Sequence, residues 1–98
     1  MRHLILSLSL ALCGCATVTP RQVALRQLSA GALAVCKRDR AACAKVEPCQ
    51  HAALDAARDL QLLAADRAAG KPTELSELVA VISEAAAQRL CAEVGVRP

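Results

Sequence analysis

The chain contains no phenylalanine, tyrosine or tryptophan, and this absence limits the core that it can form. Apolar residues make up 55% of the sequence, but many of them are alanines. A core of alanine, leucine, valine and isoleucine buries little area per residue, and burial contributes only about 25 cal/mol per Å². In a chain of 98 residues such a core is marginal and often needs a covalent cross-link. We therefore expect one small, cross-linked domain.

The N-terminal stretch has the order of a secretory signal peptide. Arg2 supplies a positive start, residues 4–12 form an apolar run broken only by two serines, and small residues follow. The run is too short to span a bilayer as a helix, which needs about 20 apolar residues. The sequence therefore predicts that the protein is exported and that residues 1–14 are its signal peptide.

The end of this run resembles the lipobox of bacterial lipoproteins. Leu12, Gly14 and Cys15 match its aliphatic position, its small position and its cleavage-site cysteine. Cys13 occupies the tolerant second position, where a small residue is usual. The resemblance covers residues 1–15, and it implies that Cys15 is diacylated, becomes the mature N-terminus and is then N-acylated.

Processing at Cys15 would also decide the domain organisation and the location. Residues 15–19 would form the lipidated N-terminus and a short tether, and residues 20–98 the folded domain. Because the tether reaches only about 14 Å, the domain should lie almost on the membrane surface. Ala16 follows the cysteine, and by the same resemblance this favours the outer membrane, facing the periplasm. Ordinary secretion with cleavage after Ala16 is the alternative, and we favour lipidation on motif fit.

Helix-start and helix-stop residues predict an all-α domain. Thr19 and Gln22 form a capping box, and Asp39 is a plausible N-cap for a short helix. That short helix should end before Pro48, because the residue before a proline avoids the helical region. No strand pattern competes, so we predict an up-down-up bundle of three main helices and one short helix. The predicted helices cover residues 20–37, 40–46, 48–69 and 74–94.

Each main helix carries apolar residues at helical spacing, and we predict that these stripes face the core. In the last helix the stripe follows the large aliphatic residues. The stripes are Leu25, Leu28, Ala32 and Val35 in the first helix, Cys49, Ala53, Ala57, Leu60, Leu63 and Ala64 in the long middle helix, and Leu75, Leu78, Val79, Ile82, Ala86 and Leu90 in the last.

Four cysteines remain in the folded domain, which in an exported chain predicts two disulfides. The up-down-up arrangement brings Cys36, Cys43, Cys49 and Cys91 to one end of the bundle, so all three pairings are within reach. On one continuous helix Cys36 and Cys43 would lie about 10.5 Å apart, too far for a disulfide. They can pair only if the chain turns at Asp39.

Helix geometry helps to order the three pairings. Cys91 lies about 180° around the last helix from Ile82, so it faces away from the leucine stripe. Cys49 lies on the stripe of its own helix, so packing of the two stripes would separate Cys49 from Cys91. We therefore favour Cys36–Cys91 with Cys43–Cys49, and Cys36–Cys43 with Cys49–Cys91 stays close behind.

Metal binding and catalysis are both disfavoured. The cysteines lack the paired C-x₂-C spacing of zinc sites, and an oxidising compartment disfavours free thiolates. His51 is the only histidine left after processing, and no motif connects it to a nucleophile. With Asp55 it has the spacing of an ordinary surface pair on a helix. We therefore predict no cofactor, no metal and no enzymatic activity.

Basic residues are concentrated in the first part of the domain. Residues 21–45 carry six lysines and arginines against Asp39 alone, whereas residues 46–98 carry five against eight acids. This imbalance fits a solvated surface, which we favour, or a basic half that faces anionic lipid headgroups. The small net charge argues against a nucleic-acid partner.

Two classes of function fit this sequence. The first is a membrane-anchored accessory lipoprotein, held by the lipid on Cys15, that docks a helical face on an envelope protein. Small helical lipoproteins that pilot or stabilise secretion-system subunits are similar in general build, although no motif is shared. The second is a small module that binds an apolar ligand or lipid between its helices. A chain without aromatic residues forms a poor pocket, so we favour the first.

Overall fold

The computed structural model describes residues 19–98, which form an antiparallel arrangement of three α-helices. The signal peptide, Cys15 and most of the predicted tether lie outside the described residues. The helices are α1 at Pro20–Arg38, α2 at Cys43–Ala68 and α3 at Glu74–Glu93, with a short 3-10 helix at Arg40–Ala42 between α1 and α2. The predicted all-α, up-down-up architecture is confirmed. The middle helix α2 packs along both of its neighbours, whereas α1 and α3 contact each other only over a short stretch.

The start of α1 forms as its sequence predicts. The Thr19 hydroxyl accepts a hydrogen bond from the backbone N–H of Gln22, and the Gln22 side chain accepts one from the backbone N–H of Thr19. Pro20 occupies the first turn, where a missing N–H costs no helical hydrogen bond. The helix ends before Asp39, whose extended backbone turns the chain and whose carboxylate accepts from the N–H of Ala41. The predicted cap at Asp39 is therefore confirmed.

The predicted helix break at Pro48 is wrong. Only Arg40–Ala42 form a separate short helix, of the 3-10 type, and α2 runs without interruption from Cys43 to Ala68. A proline inside a helix removes one backbone hydrogen bond and disfavours the helical region for the preceding residue. In α2 this loss falls close to the N-terminal end, and the buried residues Val46 and Cys49 on either side of Pro48 hold that end against the core.

The buried side chains form one cluster along the lines where the helices meet. Their spacing alternates between three and four residues in α1 and α2 and is seven and then four residues in α3, which keeps them on one face of each helix. The predicted α1 stripe is confirmed, with Val35 half-buried at its end. In α2 the predicted stripe is confirmed except at Ala64, which is exposed; Ala57 is half-buried, and Val46 and Ala56 are buried in addition. The buried residues are Leu25, Leu28 and Ala32 in α1, Val46, Cys49, Ala53, Ala56, Leu60 and Leu63 in α2, Ala80, Ala87 and Cys91 in α3, and Val96.

Helix α3 presents the opposite face to the one predicted. Its leucine stripe points outward, with Leu75 73% exposed and Ile82 60% exposed. The face that packs on α2 consists of Ala80, Ala87 and Cys91, none of which is exposed to solvent. The prediction that Leu75, Leu78, Val79 and Ile82 belong to the core is therefore wrong.

Polar contacts across the helix interfaces account for this rotation of α3. The hydroxyls of Ser76 and Ser83 donate to the carboxylates of Asp66 and Asp59 on α2. The two serines are seven residues apart, as are the two aspartates, so both pairs form in a single antiparallel register. Burying the leucine stripe would turn these serines away from α2 and leave the aspartates without their partners. The small alanines on the inner face allow the close approach that these short side chains need.

The chain after α3 folds back onto α1. Gly95 adopts a φ of +77°, which places the N–H of Val96 2.8 Å from the carbonyl oxygen of Cys91. This turn buries Val96 against Gly31 of α1, where a Cβ would lie 2.9 Å from Val96 Cγ1. Gly31 therefore allows the tail to pack on the helix.

We predict that Gly31→Ala will destabilise the domain by about 1 kcal/mol, although alanine favours a helix by about that amount over glycine. The added methyl group would collide with Val96 and push the tail off α1. In a Val96→Ala background the same Gly31→Ala change should instead be stabilising, because only the helix preference remains. Urea unfolding of the four chains, followed by circular dichroism, measures the sign of each change. Equal effects in both backgrounds would contradict the contact.

Candidate functional site

The four cysteines of the domain form two disulfides, Cys36–Cys43 and Cys49–Cys91, with Cα–Cα distances of 4.3 and 4.6 Å. The prediction of two disulfides at one end of the bundle is confirmed, but the favoured pairing, Cys36–Cys91 with Cys43–Cys49, is wrong. Cys91 does lie opposite Ile82, as predicted. Because α3 is rotated, the face that carries Cys91 packs on α2 and meets Cys49. The chain also makes the turn at Asp39 that the Cys36–Cys43 pairing requires.

The two disulfides hold different parts of the domain. Cys49 and Cys91 are 1% and 0% exposed, and their bond joins the first turns of α2 to the end of α3 across 42 positions of sequence. Cys36 and Cys43 are half-buried and seven positions apart, and their bond spans the four-residue connection between α1 and α2. The buried disulfide therefore sets the relation between two helices, whereas the other one restrains a turn.

We predict that replacing Cys49 and Cys91 together by alanine will destabilise the domain more than replacing Cys36 and Cys43 together. On the chain-entropy account, a disulfide closing the longer loop contributes about 4 kcal/mol and one closing the shorter loop about 2.5 kcal/mol. A difference of about 1.5 kcal/mol corresponds to a difference of roughly 6–12 °C in Tm for a domain of this size. Thermal unfolding by circular dichroism compares the two variants. A larger loss from the pair at 36 and 43 would contradict the assigned roles.

An ion-pair cluster joins the start of α1 to α3, where the two helices make few other contacts. The guanidinium of Arg21 forms a bidentate ion pair with the carboxylate of Glu84, and one of its nitrogens lies 3.1 Å from a carboxylate oxygen of Glu77. Arg67 of α2 also lies 3.3 Å from Glu77. The hydrogen bond to Glu84, with help from the nearby Glu77 charge, raises the pKa of Arg21 above its ordinary value. These two arginines and two glutamates hold α1 against α3. We therefore interpret the cluster as a contact that stabilises the fold.

The outward face of α3 is the most distinctive surface of the described residues. We call its five apolar residues the outer stripe; they are Leu75, Leu78, Val79, Ile82 and Ala86. The four large members are 42–73% exposed. A large exposed apolar patch on a small soluble domain is typical of an interaction surface, because it is costly to leave in water.

A shallow depression lies beside the N-terminal end of the outer stripe. Its apolar walls come from Leu62 of α2, Pro72 of the turn, and Leu75 and Val79 of α3, and its volume is about 380 Å³. Leu62 is itself 55% exposed, so the apolar surface extends from α3 onto α2. The outer stripe therefore forms the edge of a groove into which another side chain could fit.

The outer stripe was not predicted from the sequence, because its large aliphatic residues at helical spacing are typical of a core face. A signal was present in the shared seven-residue spacing of Ser76 with Ser83 and of Asp59 with Asp66. That spacing places each pair on one helix face and indicates a polar line between α2 and α3. If Ser76 and Ser83 face α2, Ile82 lies on the outer side of α3.

Four of the six basic residues of positions 21–45 lie at the opposite end of α1 from its start. Lys37, Arg38, Arg40 and Lys45 are exposed around the connection between α1 and α2, and the carboxylate of Asp39 there caps Ala41. The helix rise places this basic end about 27 Å from the first turn of α1. A tether at the start of α1 would therefore attach far from the basic end.

The polar residues of α2 near His51 form exposed ion pairs with one another. His51 Nε2 lies 3.7 Å from a Glu47 carboxylate oxygen, and both side chains are exposed. His51 therefore pairs with Glu47 and not with Asp55, which instead contacts Arg58. Among residues 19–98, no group of three or more histidine, cysteine, aspartate or glutamate side chains is arranged to hold a metal ion. The four cysteine sulfurs of the described domain are all used in disulfides.

Comparison with known proteins adds no assignment to these observations. No family model, no curated protein and no solved structure matches this chain. In the part of the chain that the structure describes, none of the helices combines the length and apolar character that a bilayer crossing requires. Function must therefore be argued from the surfaces described above.

Proposed function

We propose that this chain is a small lipoprotein of the cell envelope, anchored through lipid on Cys15, whose helical domain docks on a partner protein without catalysing a reaction. The observation that carries this proposal is the outer stripe. Four large aliphatic side chains point into solvent in a domain whose own core consists largely of alanine, leucine and cysteine. Fully burying one such side chain is worth about 1.5–3 kcal/mol, so a partner that covers the stripe gains substantial free energy.

The position of the predicted anchor is compatible with this role. A lipid on Cys15 is separated from the N-cap Thr19 by three residues, so the start of α1 would lie close to the membrane. The outer stripe lies on α3, which touches α1 only over a short stretch and is oriented by Arg21. The anchor would hold the domain near the membrane while α3 stays accessible to another protein. By resemblance to bacterial lipoproteins, Ala16 after the lipid-bearing cysteine favours outer-membrane sorting, with the domain in the periplasm.

The alternative, a ligand or lipid held between the helices, has less support. Ala56 of α2 and Ala80 and Ala87 of α3 are fully buried, so the core leaves little space for a ligand between the helices. The depression beside Leu62 and Leu75 is open to solvent and shallow. Ligand sites usually bury most of a small molecule, so these features favour docking of a protein surface over capture of a ligand.

We predict that Cys15→Ser will release the protein from the membrane fraction and abolish incorporation of labelled palmitate. A single cysteine thiol carries the lipid in this proposal, so its replacement by serine removes the anchor. Flotation of membranes from the host cell measures the release. A Cys13→Ser variant serves as the matched control and should keep both the label and the membrane association. Palmitate on the Cys15→Ser protein would refute the proposed anchor.

We also predict that a photo-crosslinking residue at Leu75 or at Ile82 will give one product of the same mass in intact cells. The reason is that both positions lie on the outer stripe and should touch the same partner. The matched control is Leu54 of α2, which is 53% exposed but lies off the stripe, and it should not give that product. Adding Leu78→Glu should remove the product from both positions. Equal labelling from all three positions would argue against docking through the stripe.

A further inference from the structure

The outer stripe has the spacing of a helix-packing seam. Leu75, Val79, Ile82 and Ala86 follow one another at intervals of four, three and four residues. The buried residues of α2 alternate between three and four in the same way. This spacing keeps one line of side chains against a partner helix that crosses at a small angle. The stripe therefore fits a helix better than it fits a flat surface.

The size of the side chains changes along the stripe. Before Ile82 it carries Leu75, Leu78 and Val79, whereas after Ile82 it carries only Ala86, with Ala85 beside it. Two copies of α3 packed in parallel would place large side chains against large ones at one end and leave a gap at the other. Packed antiparallel about a point near Ile82, Leu78 would lie opposite Ala86 of the second copy and Val79 opposite Ala85. Large side chains then meet small ones on both sides of the axis, where the two Ile82 side chains meet each other, and this allows close packing.

The charges beside the stripe have the same complementarity. Glu74 begins α3 and Arg89 lies near its end, so the antiparallel arrangement brings Glu74 of each copy close to Arg89 of the other. The same register places Lys71 of the turn near Glu93 of the second copy. Within residues 19–98, none of these four side chains forms an ion pair inside its own chain. All four remain available to a partner, and opposite charges across an interface help to define its register.

From this complementarity of size and charge we propose that a second copy of this chain covers the outer stripe, forming an antiparallel two-fold dimer through α3 with its axis near Ile82. In such a dimer the same patch serves both subunits. The inference rests on the proposed function, because it names the partner that docks on the stripe. One helix face of this length buries less area than a permanent interface does, so we expect dissociation on the order of 10 µM.

Sedimentation equilibrium of the mature chain tests the proposal, with serine at position 15 in place of the lipid-bearing cysteine and both disulfides formed. Between about 1 and 200 µM the protein should change from monomer to dimer. Ile82→Glu should raise the dissociation constant at least tenfold, because it places two carboxylates together at the two-fold axis. Leu54→Glu is the matched control at an exposed leucine of α2 and should leave the dimer unchanged. Both variants should keep the parent's melting temperature, since neither side chain belongs to the core.

A charge-exchange experiment tests the antiparallel register. Glu74→Arg alone or Arg89→Glu alone should weaken the dimer several-fold, because each places like charges together across the interface. The chain carrying both changes should recover the parent's dissociation constant, since opposite charges then meet again in exchanged positions. Failure of the double variant to recover would overturn the proposed register.

The outcomes separate this inference from the proposed function. A protein that stays monomeric at 200 µM, or a dimer that is insensitive to Ile82→Glu, would overturn the self-association. If crosslinks from Leu75 and Ile82 in cells nevertheless reach a different protein, docking through the stripe stands and only the identity of the partner changes. A monomer that also gives no specific crosslink would overturn both.

Discussion

The close approach of α2 and α3 over alanine side chains is the contact on which the rest of this structure depends. Ala80 and Ala87 lie on the face of α3 that packs on α2, and they and Ala56 of α2 have no exposed surface. Small side chains let two helix backbones come close, and the Cys49–Cys91 disulfide fastens this contact at one end. The chain has no aromatic side chains with which to fill a wider space. Close packing of small residues is therefore the way in which it excludes water from this interface.

That contact also decides the character of the outer surface. A helix that turns its alanines inward must turn whatever lies opposite outward, and in α3 the opposite residues include Leu75 and Ile82. The serine–aspartate pairs between α2 and α3 reinforce this orientation, because they satisfy polar groups that would otherwise face apolar neighbours. Arg21 acts from the other side by holding Glu84. Internal packing and an exposed apolar surface thus arise from one rotation of α3.

The successes of sequence reasoning concern interactions between residues that are close in the chain. The capping box at Thr19 and the turn at Asp39 involve partners two or three residues away, and the local pattern is enough to recognise them. The buried α1 face around Leu28 also follows from spacing alone, because the large apolar residues of that face have no strong competitor elsewhere on the helix. The break expected at Pro48 failed because packing at Val46 and Cys49 outweighed a local preference.

The remaining errors share one physical cause. Two faces of α3 are apolar, one carrying leucine, valine and isoleucine and the other carrying alanine and cysteine. Hydrophobicity favours burial of the larger side chains, and that reasoning separated Cys91 from Cys49. The choice between the faces depends on Asp59 and Asp66 of α2 and on Arg21 of α1, all far from α3 in sequence. Local patterns were enough to specify the three main helices, the start of α1 and oxidised cysteines at one end of the bundle. Only the packing of the three helices decided which face of α3 is buried. The disulfide pairing and the outer stripe follow from that choice, because each depends on contacts between residues that are distant along the chain.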